Sequence, residues 1–297
     1  MPRACRLSRP TEPIRGVGLF SAIPSSLMFI PADALSVVRL RHGHAMAGTP
    51  VSVAFISNDT AWAGLPHGAP IRNTTLCGPV GEASASTIAT IEHALAACAG
   101  LGLWHAALAL DGGPEVPIMD GSAAPFVKAL RPGLEAAASL SPIRLAEPVE
   151  VRRGDDMIRA EPFEGIDFTY ELDYGPTAPL PPQQASWLGD PDDFAANIAP
   201  ARTFSLLHEA RAAHAAGLFR HLTPRDMLVV GDDGRPVDNA WRFENEPARH
   251  KLLDLIGDLA LLGRPLHARI VARRAGHALT HDLCRRILAQ QRTPRLN

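Results

Sequence analysis

The chain has 297 residues, enough for two domains of ordinary size, and 46% of them are hydrophobic, so a sizeable core can form. Charged residues make up 20% and nearly cancel, with a formal net charge of −2, which argues against a general nucleic-acid binder and its basic surplus. Cys5, Cys77, Cys98 and Cys284 are scattered without a C-x-x-C pair, so packed, reduced thiols are expected, not a disulfide framework or a cysteine zinc site.

The apolar run 19–30 is broken by Pro24, Ser25 and Ser26, and no small-residue cleavage pattern follows it. No segment approaches the roughly 20 apolar residues of a membrane span. A soluble, cytoplasmic protein is the expectation. Residues 14–60 read as β-rich, with strands over 26–30 and 51–56, and residues 66–83 as turns. A helix is expected over 86–99, stopped by Gly100. A strand over 104–110 follows, then a turn at 111–114, an ordered loop over 115–122, and a helix over 124–138 interrupted at Pro132.

Around Ser141 and Pro142 the pattern starts again. Residues 149–160 read as a hairpin turning at Gly154 and Asp155, and 168–172 as a half-buried strand. A proline-rich loop spans 175–182. A helix over 205–216 ends at Gly217, and 227–230 is a short buried strand. The helix from Asn245 has Pro247 at its first position, with Asn245 or Glu246 serving the free amides. A strand over 268–272 and a last helix from about His277 to Gln291 complete the chain. Both halves run strands, helix, strand, helix, so a duplicated α+β unit is the natural architecture.

Three regions place polar residues in apolar settings. On the helix from Asn245, His250, Asp254 and Asp258 fall at i, i+4 and i+8 and stack on one face among leucines. A buried carboxylate there calls for a cation partner. Glu92 and His93 are neighbours on another helix and point about 100° apart. His277 stands at a glycine turn.

Two imidazoles and one carboxylate leave a corner of a tetrahedral zinc open, which marks a catalytic site rather than a structural one. Zinc lowers the pKa of water in that corner to about 7. Glu92 would take the proton, and His277 would protonate a leaving amine. Asp258 would hold the His277 imidazole in its charged form. Each feature has a plainer reading. His250 and Asp254 fit a solvated ion pair, Glu-His pairs on helices are common, and a lone histidine is usually a satisfied core or surface residue. Spacing alone does not bring the three regions together. His208, His214, His221, His267 and His281 read as surface or loop residues, and Arg273-Arg274 and Arg285-Arg286 as solvated faces.

Six segments in order carry more than spacing does: Thr90-Ile-Glu-His, Pro114 to Val127, Ala201-Arg-Thr-Phe, Arg242-Phe-Glu, Arg249-His-Lys-x-x-Asp-x-x-Gly-Asp-Leu and Gly276-His-Ala-Leu. With them the sequence resembles the UDP-3-O-acyl-N-acetylglucosamine deacetylases, zinc enzymes of lipid A synthesis, from about Gly16 to Ala289. The resemblance implies an α+β fold of two similar domains, 1–140 and 141–297. Each is a β-sheet layer packed on a helix layer, with the active site between them. It implies that His93, His250 and Asp254 bind Zn2+, with Fe2+ as an alternative ion. It implies Glu92 as general base, His277 as acid supported by Asp258, and Thr203 as an oxyanion donor. Phe204 and Lys251 match substrate-contacting positions, Lys251 near the diphosphate. The implied partner is a UDP-linked acylated amino sugar, with transient membrane-surface contact through its acyl chain. A loop of the second domain lines an apolar passage for that chain.

The sequence departs from the family at several points. Phe20 stands where the family usually has His, and Ser205 where it often has Gly. Residues 219–225 replace a usual Gly-Gly-Ser stretch with bulkier, more basic residues, and the loop 174–182 differs as well. None of these touches the metal or acid–base set; all bear on recognition. A divergent member acting on a different N-acetyl amino-sugar conjugate is the alternative reading.

Overall fold

The computed structural model describes residues 4–41, 44–45, 49–57, 72–78 and 87–292. The strands are β1 Cys5–Leu7, β2 Ile14–Val17, β3 Pro24–Pro31, β4 Ser36–Arg41, β5 His44–Ala45, β6 Thr49–Pro50, β7 Leu103–Gly112, β8 Leu134–Ala136, β9 Ile143–Arg144, β10 Val149–Arg153, β11 Asp156–Pro162, β12 Ile166–Leu172, β13 Gln183–Trp187, β14 Phe204–Leu206, β15 Leu228–Val230 and β16 Leu266–Arg273. The helices are α1 Glu92–Gly100, α2 Ala124–Leu130, α3 Pro191–Asp193, α4 Leu207–Ala215, α5 Glu246–Leu259 and α6 His277–Arg292.

Two main sheets form. In the first, the order is β2-β3-β7-β1-β8, with β4 also on β7 and carrying β5 and β6. β3 runs antiparallel to β7 and sets Leu27 opposite Leu110 and Phe29 opposite Leu108. These side chains alternate inward with period two and form the core face. In the second, the order is β10-β11-β16-β12-β13, with β9 on β16. A separate pair, β14 and β15, lies beside α4.

Helices join the layers. α1 contacts β7 and α2; α5 lies on β12 and β13; α6 lies on β10 and β11. α1 and α5 then pack directly against each other. The architecture is thus α+β with two sheet-plus-helix regions, as the sequence predicts. α1 is buried on nearly every side, which its run of alanines permits. The approach of α5 is close because Gly257 has no side chain. A Cβ there would lie 2.0 Å from the Glu92 carbonyl oxygen.

Several sequence expectations shift. Residues 53–55 form a short 3-10 turn, not a strand, with the Ser52 hydroxyl accepting from the Ala54 amide at 3.3 Å. The first helix starts at Glu92, not near 86, and Ser86 lies outside the described residues, as do most of 66–83. The helix expected over 124–138 ends at Leu130. A 3-10 turn containing Pro132 follows, and the chain then joins the sheet as β8, antiparallel to β1. Proline removes the amide that a continuing helix would need. β7 extends through Asp111 and Gly112, so the turn is shorter than expected. Residues 204–206 are strand, and α4 begins only at Leu207. β13 was not anticipated; its Ala185 and Trp187 face inward, while its other residues are polar and hide the period.

Candidate active site

α5 carries the site's central stripe. His250, Asp254 and Asp258 are all buried, flanked by buried Leu252, Leu253, Leu255 and Ile256. Its start differs from expectation. The Asn245 side chain makes no cap; it donates to the Gln184 carbonyl at 2.7 Å. Glu246 is fully buried and accepts from the Arg202 side chain at 2.8 and 3.0 Å and from the Arg202 and Arg242 amides at 3.1 and 2.7 Å. That paired charge fixes the segment before Thr203 onto the start of α5.

The α1–α5 contact brings His93 to the stripe. His93 Nε2 lies 3.5 Å from Asp254 Oδ1, and His250 Nε2 lies 3.3 Å from the same atom. The two imidazole planes stand at 89° with centroids 5.0 Å apart. One ligand atom from each of the three residues lies within 4.8 Å of the others. His250 Nδ1 donates to the Ala201 carbonyl at 3.1 Å, which leaves Nε2 unprotonated and turned toward Asp254. Two neutral-capable nitrogens and a buried carboxylate oxygen are a donor set suited to a divalent transition metal.

The electrostatics agree. Burial lowers the His250 pKa to about 3, so the imidazole is neutral. Burial opposes charge on Asp254, but the Lys251 ammonium beside it outweighs that, and its pKa falls well below the usual range. Since His250 is neutral, Lys251 carries the compensating charge, with Nζ 2.9 Å from Asp254 Oδ2. Burial works against Lys251 too, and Asp254 more than reverses it, so the ammonium persists.

A second cluster adjoins the first. His277 opens α6, and its Nδ1 meets Asp258 Oδ2 at 2.8 Å. Burial alone would lower His277; Asp258 dominates and raises it to about 9, so it is an imidazolium at neutral pH. Burial likewise opposes charge on Asp258, and His277 with His281 drives its pKa down. Thr74 Oγ1 lies 2.5 Å from Asp258 Oδ1 and 3.0 Å from His281 Nε2. His281 is therefore buried in the site, and His267 is also buried; both correct the reading of these residues as surface or loop. His281 lies one helical turn after His277, the same i,i+4 relation that singled out His250 and Asp254, so the sequence held a signal for it. Thr74 carried none.

Glu92 is buried beside both clusters. Burial raises its carboxyl pKa, while His277 and His93 pull it back. Its Oε2 accepts from the Thr74 amide at 3.0 Å. Just ahead of it, Thr90 adopts φ +56°, a left-handed conformation unusual for threonine. Its hydroxyl donates to buried Glu115 Oε1 at 2.7 Å, and Glu115 in turn holds the amides of Phe20 and Ser21. That anchor fixes the turn into α1.

Thr203 and Phe204 follow the Arg202–Glu246 pair. The Thr203 amide donates to the Gly121 carbonyl at 2.7 Å. The Phe204 ring lies 6.4 Å from the His250 ring, and Lys251 Nζ stands 5.9 Å over its centre. Thr203 and Phe204 also line a largely apolar groove of about 520 Å³ with Leu19, Leu207, Phe219 and Met227. Through Phe204 the groove thus opens beside His250. Phe219, itself at φ +57°, packs its ring 5.3 Å from that of Phe20.

A convergent His-His-Asp set with a buried glutamate on one side and a histidine–aspartate pair on the other is the arrangement of a metal-dependent hydrolase. Comparison with known proteins makes the class specific. The family model "LpxC: UDP-3-O-acyl N-acetylglycosamine deacetylase" matches residues 7–289. A UDP-3-O-acyl-N-acetylglucosamine deacetylase of Nostoc sp. is 37% identical over 284 residues, covering 92% of this chain and 94% of the relative. Relatives of the same name from Anaeromyxobacter sp. and Leptospira biflexa are 35% and 34% identical, covering 92% and 93% of this chain and 85% and 87% of their own length. The chain belongs to the UDP-3-O-acyl-N-acetylglucosamine deacetylase family.

Proposed function

We propose that this chain hydrolyses the N-acetyl amide of UDP-3-O-acyl-N-acetylglucosamine, releasing acetate, as a step of lipid A biosynthesis. The observation that carries the reading is the meeting of His93, His250 and Asp254 in a member of this family. These three residues would hold Zn2+, or Fe2+, which the same donor set accepts. A bound ion would supply Lewis acidity, lowering the pKa of water and polarising the acetyl carbonyl.

The protein's own groups do the rest. Glu92, its carboxyl made more basic by burial, takes a proton from the attacking water. Oxygen adds to the acetyl carbon, and Thr203 donates to the oxygen that gains charge. The C–N bond then breaks, the amine nitrogen takes the His277 proton, and acetate leaves. Asp258 keeps His277 charged and oriented for that transfer. Phe204 packs against the substrate at the groove mouth, and Lys251 faces the diphosphate. The apolar groove takes the 3-O-acyl chain, which allows brief contact with a membrane surface during loading. We read 1–140 and 141–297 as the two domains and the cytoplasm as the compartment; no helix among the described residues is long and apolar enough to cross a membrane.

The test is direct. Purified protein should hold about one metal ion per chain and release acetate from the acylated UDP sugar. Glu92→Gln should keep the metal and lose turnover; an unchanged rate would remove Glu92 from its role. The Phe20–Phe219 contact supports a second reading, a different N-acetyl amino-sugar conjugate. Turnover of a substrate lacking the acyl chain, equal to that of the acylated one, would favour it.

A further inference from the structure

We propose that Thr74 is a positioning residue that couples the base and acid sides of the site, with its hydroxyl locked by His281 so that Asp258 stays turned toward His277. The proposal rests on the hydrolase reading for its catalytic meaning, but not for its geometry. Thr74 makes two separable sets of contacts. Its backbone amide holds Glu92 Oε2 at 3.0 Å. Its hydroxyl meets Asp258 Oδ1 at 2.5 Å and His281 Nε2 at 3.0 Å, and its oxygen lies 3.4 Å from His277 Nδ1.

The direction of these bonds follows from the groups. An ionised carboxylate only accepts, so the Thr74 hydroxyl donates to Asp258. Its oxygen is then the acceptor for the His281 Nε2–H. The chain runs from His281 through Thr74 to Asp258 Oδ1, leaving Oδ2 for His277 at 2.8 Å. All four groups are buried or nearly so, where a fully satisfied network holds one arrangement firmly.

Removing the hydroxyl has a predictable consequence. His281 Nε2–H loses its acceptor, and the nearest replacement is Asp258 Oδ1, 3.6 Å away. Closing that gap draws the carboxylate toward His281 and away from His277. The other groups facing His277 are Asp254 and Asp258 on α5, Glu92 on α1 and His281 on its own helix, its ring 6.3 Å away. The hold on Asp258 loosens and the hydroxyl oxygen near His277 Nδ1 is lost with it, and both changes remove support from the imidazolium, so His277 should bind its proton less tightly.

The experiment uses the full-length, metal-loaded chain with Thr74→Val, which deletes the hydroxyl and leaves the amide bond to Glu92. NMR of the labelled His277 imidazole should show its titration midpoint falling by about one pH unit. The alkaline limb of kcat should fall with it, with metal content and KM unchanged. Thr74→Ser should restore both. Should Thr74→Val not fold, Thr74→Ala removes the same hydroxyl with less bulk. A His277 midpoint equal to wild type in either variant overturns the proposal. A His277 shift between wild type and Thr74→Val, together with wild-type protein that releases no acetate, would sink the hydrolase reading and leave this inference standing.

Discussion

Gly257→Ala isolates the contact on which the site depends. The added Cβ would lie 2.0 Å from the Glu92 carbonyl oxygen and 2.8 Å from its carbonyl carbon. Both are backbone atoms, so no side chain can rotate away. To reach the 3.4 Å of ordinary contact, α1 and α5 must separate by about 1.4 Å along that direction. His93 lies on α1 and its two partners on α5, whereas metal–ligand distances tolerate only about 0.2 Å. Overpacking costs about 1–3 kcal/mol, and alanine's better helix propensity returns about 1 kcal/mol. Stability should therefore change modestly while metal affinity falls by more than about tenfold, as it does when ligand support is lost. Competition with a graded chelator reads the affinity, and acetate release reads the consequence. A Gly257→Ala protein with wild-type metal affinity and turnover would refute the idea that this close approach sets the metal geometry.

Three further outcomes follow from the same structure. His277 is raised from 6.5 to about 9, so the stability it contributes is fully present below pH 6.5 and is lost as pH rises through 9. Turnover should fall over the same alkaline range, and His277→Gln should abolish that limb along with most of kcat; a pH–rate profile checks both. Chelation should remove activity and lower Tm, with Zn2+ or Fe2+ restoring each; metal at a hundredfold excess over its Kd stabilises by about 2.7 kcal/mol, which calorimetry can measure. Phe219→Gly should relieve a left-handed phenylalanine and open the groove wall beside Phe20, shifting acyl preference toward longer chains by several-fold, since each buried methylene is worth about 0.8 kcal/mol. An acyl-chain series compared between the two proteins gives the answer.

The sequence made the α5 half of the candidate site readable because helical spacing is a local property. His250, Asp254 and Asp258 announce a common face by their intervals alone. His93 could not be joined to them by spacing, since that requires α1 to meet α5, and Gly257 gives no outward sign of being the meeting point. The resemblance supplied the link. The supporting residues were harder to see. Thr74 acts through one hydroxyl and one amide from a segment without regular structure, and Glu115 works from a loop. Strands with clear alternation, such as β3 and β12, were legible. β8 was not, because three residues after a proline look like a helix running on until tertiary pairing with β1 captures them.

Asp254 and Asp258 sit one turn apart on a buried face, and two uncompensated carboxylates there would repel each other and resist ionisation. The structure avoids this by giving each its own cation, Lys251 for the first and His277 for the second. On the proposed reading, α5 thereby holds a metal-facing acid and a proton-delivering pair side by side, while α1 brings the base and the third ligand. The residues that depart from the family, Phe20, Ser205 and Phe219, lie instead in the turn anchored by Glu115 and around the apolar groove. Phe204, between the groove and His250, borders both regions. If the groove takes the acyl chain as proposed, changes there would alter which chain fits without moving His93, His250 or Asp254, whereas any change that parts α1 from α5 would strike all three.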